Sequence, residues 1–349
     1  MHMHTRHIVR AGFACLTAAT LVACSSPAAE DASEATAPAA EVAATPADVG
    51  IRNVSILHLN IEDMDRSLAF YQGVLGMETV RDSGGPSPTP IVADEGAMMH
   101  TVVLQTPGGG FSMELVEVSG VPLQPQHPRI QDPGEIMLAM QVKDLNGLLA
   151  KAKGLGLDVL SEGDAPVVTE RPDGVNRAVM VQDADGFIVE FVQNDTIETP
   201  IGNVAIYLSV ANLDQTVAFY NQAFGMGMET PAAANATTER VVKLFDNTAL
   251  ATMRTARGTF PGTEVTLNFQ EFTGADQDPV RHRVQDPGGP IFTMTVEDFP
   301  ATIERVKASG GTIGQGDASE MLAPDARFSW IRDPNGLLIR VSAPPPAAS

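Results

Sequence analysis

Cysteine is almost absent: the 349 residues hold two, Cys15 and Cys24. Both lie at the start, so the body of the chain has no disulfide, no thiolate metal site and no cysteine nucleophile. Basic residues are scarce too. There are 22 Lys and Arg against 43 Asp and Glu, a net charge of −21. Phosphate contacts need clustered Lys and Arg, so a nucleic-acid partner is excluded, as is electrostatic adhesion to anionic lipid. There is no long hydrophobic run. The apolar stretch from Ala11 to Ala23 falls short of the ~20 residues a membrane-crossing helix needs. What is present is 44% hydrophobic residues, enough for a core, in a length that exceeds one core and predicts two domains.

The first 24 residues read as an address. Arg6 and Arg10 form a basic start, the apolar run follows, and Leu21-Val22-Ala23-Cys24 closes it. This resembles a bacterial lipoprotein signal, with Cys24 as the lipidated first residue of the mature chain. Ser25 after the Cys implies the outer membrane, facing the periplasm. Cleavage removes two arginines and no acid, which takes the net charge to −23, and leaves His58, His100, His127 and His282. Residues 25–50 are rich in Ala, Pro, Glu and Thr and cannot bury enough apolar surface to fold. They predict a tether of roughly 25–30 Å. Residues 344–349 predict a short disordered tail.

The folded part is a repeat. Asp63-Met64-Asp65-Arg66-Ser67-Leu68-Ala69-Phe70-Tyr71 recurs as Asn212-Leu213-Asp214-Gln215-Thr216-Val217-Ala218-Phe219-Tyr220, 149 positions on. Arg129-Ile130-Gln131-Asp132-Pro133-Gly134 recurs as Arg283-Val284-Gln285-Asp286-Pro287-Gly288, and Asp183-Ala184-Asp185-Gly186 as Asp333-Pro334-Asn335-Gly336. Matches in one order mark a tandem duplication, with modules at 51–196 and 201–343. Each module has two halves. In each half a strand leads to an N-capping Asp or Asn (63, 144, 212, 298) and then to an amphipathic helix. Between Ser55 and Ile61 the residues alternate. Leu57, Leu59 and Ile61 face the helix, and Ile56, His58 and Asn60 face the other way.

A strand, a capping Asp, a helix ending in Phe-Tyr, then Leu-Gly and a closing Asp-x-x-Gly before a strand resembles the vicinal oxygen chelate superfamily. That group includes glyoxalase I, extradiol dioxygenases, and the bleomycin and fosfomycin resistance proteins. The resemblance implies an α+β fold of tandem modules, each of two βαβββ units whose curved mixed sheet forms a cup with helices outside. It also implies one divalent metal per cup, held by a nitrogen ligand seven residues before each capping Asp and by two carboxylates. In the first module these positions are Ile56, Glu114, Met137 and Glu190; in the second they are Ala205, Asn268, Ile291 and Arg340. The first module keeps both carboxylates and neither nitrogen. The second keeps nothing suited to a hard cation, and Arg340 suits an anionic ligand group or a neighbouring acid.

His58 keeps a metal open. It lies two residues after Ile56 on the same strand face, about 6.5 Å away. A displaced site of His58, Glu114 and Glu190 would suit Zn, Fe, Mn or Ni. The preferred reading has no cofactor, with His58 bonding a ligand or a carboxylate. Tyr207, the counterpart of His58, suits stacking on an organic molecule. Asn60, Gln141, Ser209, Thr293 and Asn268 are candidate polar groups of the cups. The repeated Arg-x-Gln-Asp-Pro-Gly reads as a structural link. The sequence predicts an envelope-anchored binder of a small organic molecule, with the lipid at Cys24 as membrane contact and a homodimer open. The alternative is a metal-dependent lyase or dioxygenase in the first module, with Glu114 or Glu190 as ligand or general base.

Overall fold

In the computed structural model the described residues are 49–89, 95–171, 174–314 and 327–344. The expected signal with Cys24, most of the expected tether and nearly all of the expected tail lie outside them. The chain runs through four similar quarters. The first holds β1 (Ile51–Ile61), α1 (Met64–Tyr71), β2 (Glu78–Asp82), β3 (Ser87–Pro88), β4 (Met98–Gln105) and β5 (Ser112–Ser119). The second holds β6 (Ile136–Val142), α2 (Leu145–Gly154), β7 (Asp158–Val159), β8 (Val167–Arg171), β9 (Gly174–Gln182) and β10 (Ile188–Gln193). The third holds β11 (Ile201–Ser209), α3 (Leu213–Phe224), β12 (Asn235–Ala236), α4 (Glu239–Leu244), β13 (Thr252–Thr259) and β14 (Thr266–Thr273). The fourth holds β15 (Pro290–Val296), α5 (Phe299–Ala308), β16 (Thr312–Ile313), β17 (Phe328–Arg332) and β18 (Leu338–Ser342).

All four predicted caps form. Asp63, Asp144, Asn212 and Asp298 accept from the backbone N–H three residues on, at 2.9, 2.9, 2.9 and 3.0 Å. The donors are N–H groups that a helix start leaves without an intrahelical acceptor. Gly225 closes α3 in the left-handed region at φ +67°. After α2 that conformation falls at Gly156 (φ +75°), two residues beyond Gly154, the last helical residue.

The strands form two nine-stranded mixed sheets. Their order exchanges the halves of the two modules. The first sheet runs β16-β17-β18-β15-β1-β5-β4-β2, with β3 on β4, and joins the first quarter to the fourth. The second runs β12-β13-β14-β11-β6-β10-β9-β7, with β8 on β9, and joins the third to the second. The seam of the first sheet is the antiparallel pair β1–β15, with His58 opposite Ile291. The seam of the second is β6–β11, with Met137 opposite Tyr207. Each cup therefore draws on both modules.

The two halves of one module still touch, through the motifs that revealed the repeat. Tyr71 Oη donates to Asp183 at 2.8 Å and Ser67 Oγ to Asp185 at 2.9 Å, so α1 sits on the Asp-x-x-Gly turn of the second quarter. Tyr220 and Asp333 repeat the bond at 3.2 Å. The linking segments act as ties. Arg129 and Arg283 clamp Asp132 and Asp286 at 2.8 and 2.7 Å. The two carboxylates also accept from the backbone of the opposite module, Asp132 from Asp278 N–H and Asp286 from Gln124 N–H, both at 2.8 Å. One apolar core lies between sheets and helices. Leu57, Leu59 and Ile61 are buried in it, as the alternation predicts, with Phe70, Tyr71, Phe219, Tyr220 and Phe224.

Candidate functional site

Because Leu57, Leu59 and Ile61 turn to the core, His58 and Asn60 turn to the concave face of the first sheet. Their neighbours there are fixed by register. His58 stands beside Glu114 on β5 and opposite Ile291 on β15, while Thr293 on β15 stands beside Arg340 on β18. A polar row crosses the cup. Arg81 Nη2 donates to Glu114 Oε1 at 2.9 Å, His58 Nδ1 lies 2.7 Å from Glu114 Oε2, and His58 Nε2 lies 2.8 Å from Thr293 Oγ1. An ionised carboxylate only accepts, so Nδ1 carries a proton. In the neutral ring Nε2 then accepts from the threonine hydroxyl, and in the protonated ring it donates to Thr293 Oγ1. Burial pushes the Glu114 carboxyl up, but the hydrogen bond from His58 and the charges of His58 and Arg81 outweigh it and hold the group below its ordinary value.

Beside this row lies a cavity of about 350 Å³ lined by His58, Asn60, Glu114, Trp330 and Arg340, among others. Its apolar wall is a buried cluster that includes Val116, Val118, Val284, Ile291 and Trp330. Burial lowers the Arg340 guanidinium from its ordinary value, and the charge of Glu114 works against that.

The second cup is built differently. Glu190 on β10 accepts from Arg240 of α4 at 2.7 Å, and Arg240 also reaches Asn176 at 3.3 Å. Val241, Leu244 and Phe245 pack with Met137 and Met180, so α4 lies against the apolar wall of this cup. Tyr207 and Asn268 line the remaining cavity of about 540 Å³, where Asn268 Nδ2 donates to the carbonyl of Ile206 at 3.1 Å. Burial, then the charge of Glu190, raise the Tyr207 hydroxyl. Ser209 is fully buried, accepts from Gln270 at 3.1 Å and donates to the carbonyl of Ile130. Gln141 accepts from Asn194 at 2.9 Å and lines neither cup cavity.

The structure thus brings His58, Asn60, Glu114, Thr293 and Arg340 together, and places Glu190, Tyr207 and Asn268 in the other cup. The expected trio of His58, Glu114 and Glu190 is not assembled, because β5 and β10 belong to different sheets. Exchange of the halves leaves one family-position carboxylate per cup, each bonded to an arginine. The donor set does not fit a divalent metal. In the first cup both nitrogens of the His58 imidazole are engaged and the Glu114 carboxylate is bonded on both oxygens, while Asp82, which also lines the cavity, is bonded to His100 and accepts from the Gly84 N–H. Among the described residues no group of three His, Cys, Asp or Glu side chains is placed to hold an ion. Sequence reasoning missed Arg81, Arg240 and Trp330. The signal for Trp330 was its being the only tryptophan, in a strand beside the Asp-x-x-Gly turn.

Comparison with known proteins agrees with this architecture. The family model described as "Glyoxalase/Bleomycin resistance protein/Dioxygenase superfamily" matches twice, at residues 53–191 and 201–341. A lactoylglutathione lyase from Haemophilus influenzae is 30% identical over 152 residues, which are 43% of this chain and 100% of that protein. Glyoxalase I from Zea mays superposes with a TM-score of 0.53 at 18% identity, covering 83% of this chain and 92% of that one.

Proposed function

This chain belongs to the Glyoxalase/Bleomycin resistance protein/Dioxygenase superfamily, and we propose that it binds a small organic molecule in the cup of its first sheet with protein side chains alone, without the divalent metal that the family resemblance implies. The observation that carries this reading is the state of His58, whose two ring nitrogens face Glu114 and Thr293 at hydrogen-bond distance. A ligand in the adjoining cavity meets a fixed polar row on one side and an apolar wall on the other, which is the composition of small-molecule sites. Envelope anchoring through Cys24, on the periplasmic face of the outer membrane, is part of the proposal and rests on Leu21-Val22-Ala23-Cys24. Incorporation of labelled palmitate that is lost in Cys24→Ser tests it.

Elemental analysis of the untagged soluble part, as wild type and as His58→Ala, tests the site. The expected result is no stoichiometric transition metal in either, and ligand binding that persists in EDTA. One equivalent of metal in the wild type, lost in His58→Ala, overturns the reading. The second reading is a metal-dependent lyase or dioxygenase using His58, Glu114 and Glu190. It has the similarity to a lactoylglutathione lyase in its favour and the separation of Glu190 from the other two against it.

A further inference from the structure

Arg340 and Asn60 line the first cup outside the polar row, and each has a buried side-chain nitrogen without a partner among the described residues. Arg340, on β18, makes no hydrogen bond or ion pair through its side chain with any described residue, and its Nε is buried without an acceptor. Its one specific contact is with the ring of Phe328, 4.8 Å from the guanidinium carbon to the centroid. No acid among the described residues bonds it, in a chain of net charge −21. The acid within electrostatic reach, Glu114, is bonded to His58 and Arg81. Asn60 is the second group. It is 1% exposed, lines the same cavity, and its Nδ2 has no acceptor among the described residues. A half-buried guanidinium with no bonded acid and a buried amide donor with no acceptor among the described residues are both costly unless something else completes them.

We propose that the molecule taken by this cup is an apolar organic anion whose carboxylate is received by Arg340 and whose body lies against Trp330, Ile291, Val116 and Val118. This rests on the binding reading above and deepens it. The guanidinium fork matches a carboxylate in two parallel bonds and stays charged at any physiological pH. Arg81 does not compete for the anion, because Glu114 holds it. The apolar wall excludes a bare inorganic anion as the natural occupant, since such an ion would leave that wall against water. Asn60 offers a donor to an acceptor elsewhere on the same molecule.

Trp330 is the only tryptophan of the chain and lines the cavity, so its emission reports occupancy directly. The experiment titrates the protein with 4-phenylbutyrate, 4-phenylbutanamide and 4-phenylbutylamine, three probes that differ in the charge of one end. The carboxylate is expected to bind at least tenfold more tightly than the amide, and the amine more weakly than both. In Arg340→Met the carboxylate falls to within about twofold of the amide while the amide is unchanged; in Arg340→Lys part of the preference returns. The unchanged amide affinity shows that the variants keep a folded cup. Equal binding of carboxylate and amide, a preference for the amine, or a preference that survives Arg340→Met each overturns the anion assignment and leaves small-molecule binding standing. Failure of all three probes to move the Trp330 emission overturns both.

Discussion

Two buried carboxylates of this chain titrate in opposite directions, and their surroundings say why. Glu114 faces His58 and Arg81, and these outweigh its burial, so its carboxyl is held below the ordinary value. Such a group lends stability above the ordinary carboxylate range and loses it as pH falls through the folded-state value. Asp183 lies fully inside the protein beside Asp185. Burial first, then that neighbouring charge, push it up to about 7, against the opposing hydrogen bonds from Tyr71 and two backbone N–H groups. Its stabilising share is complete at low pH and is lost as pH rises toward 7. His282 works against that slope. Burial, then the charge of Arg332, hold it down to about 3, so its protonation on unfolding destabilises the fold as pH drops below the ordinary histidine value. Asp183→Asn is therefore expected to melt higher than wild type at pH 7.5, with an advantage that shrinks toward pH 5 and vanishes near pH 4. An offset constant across pH would refute it. Glu114→Gln is expected to lose stability at neutral pH and to close on the wild type in acid, measured by urea unfolding at pH 7 and pH 3.5.

At the scale of elements, the caps and the core faces were legible because both are local. An Asp before an apolar 3–4 spacing has its acceptor within reach of the N–H three residues on, and Asp63 and its three counterparts make that bond. Asp63→Ala is expected to cost about 1 kcal/mol, read as a shift of the urea midpoint without a change in slope. Tyr71→Phe should cost more than the same change at an exposed tyrosine, because it removes the hydroxyl that compensates buried Asp183; a neutral effect would mean that water replaces that bond. What α4 does was not legible. Its six residues are too few to show a helical period, and only packing reveals that Val241 and Leu244 lie against the wall of the second cup while Arg240 meets Glu190. The Phe-Tyr and Asp-x-x-Gly motifs were visible as repeats, and the structure supplies their joint purpose: one is bonded to the other.

At the scale of the whole molecule, the exchange of halves decides the chemistry. It parts Glu114 from Glu190, sets Arg340 in the cup of His58, and puts the only tryptophan beside them. It also makes each module depend on the other, since β1 pairs with β15 and β6 with β11 across the modules. Residues 51–196 expressed alone would expose both strands as edges. We expect that fragment to be a dimer in light scattering, with β1 of one copy on β6 of the next. A folded monomer would contradict the seam pairing.

The duplication, the quarter repeat, the helix starts, the strand face that carries His58 and Asn60, and the α+β class were all legible in the residues. Each of these is written in residues a few positions apart or in a match between copies. Tertiary structure alone decided which half meets which. β6 and β15 are copies of one strand, and either presents β1 with a similar apolar edge, so no local pattern distinguishes them. The pairing that forms is tied across the modules by the bonds of Asp132 to Asp278 and of Asp286 to Gln124. The composition of the site follows from that pairing, and with it the place of Arg340 beside His58 and Trp330.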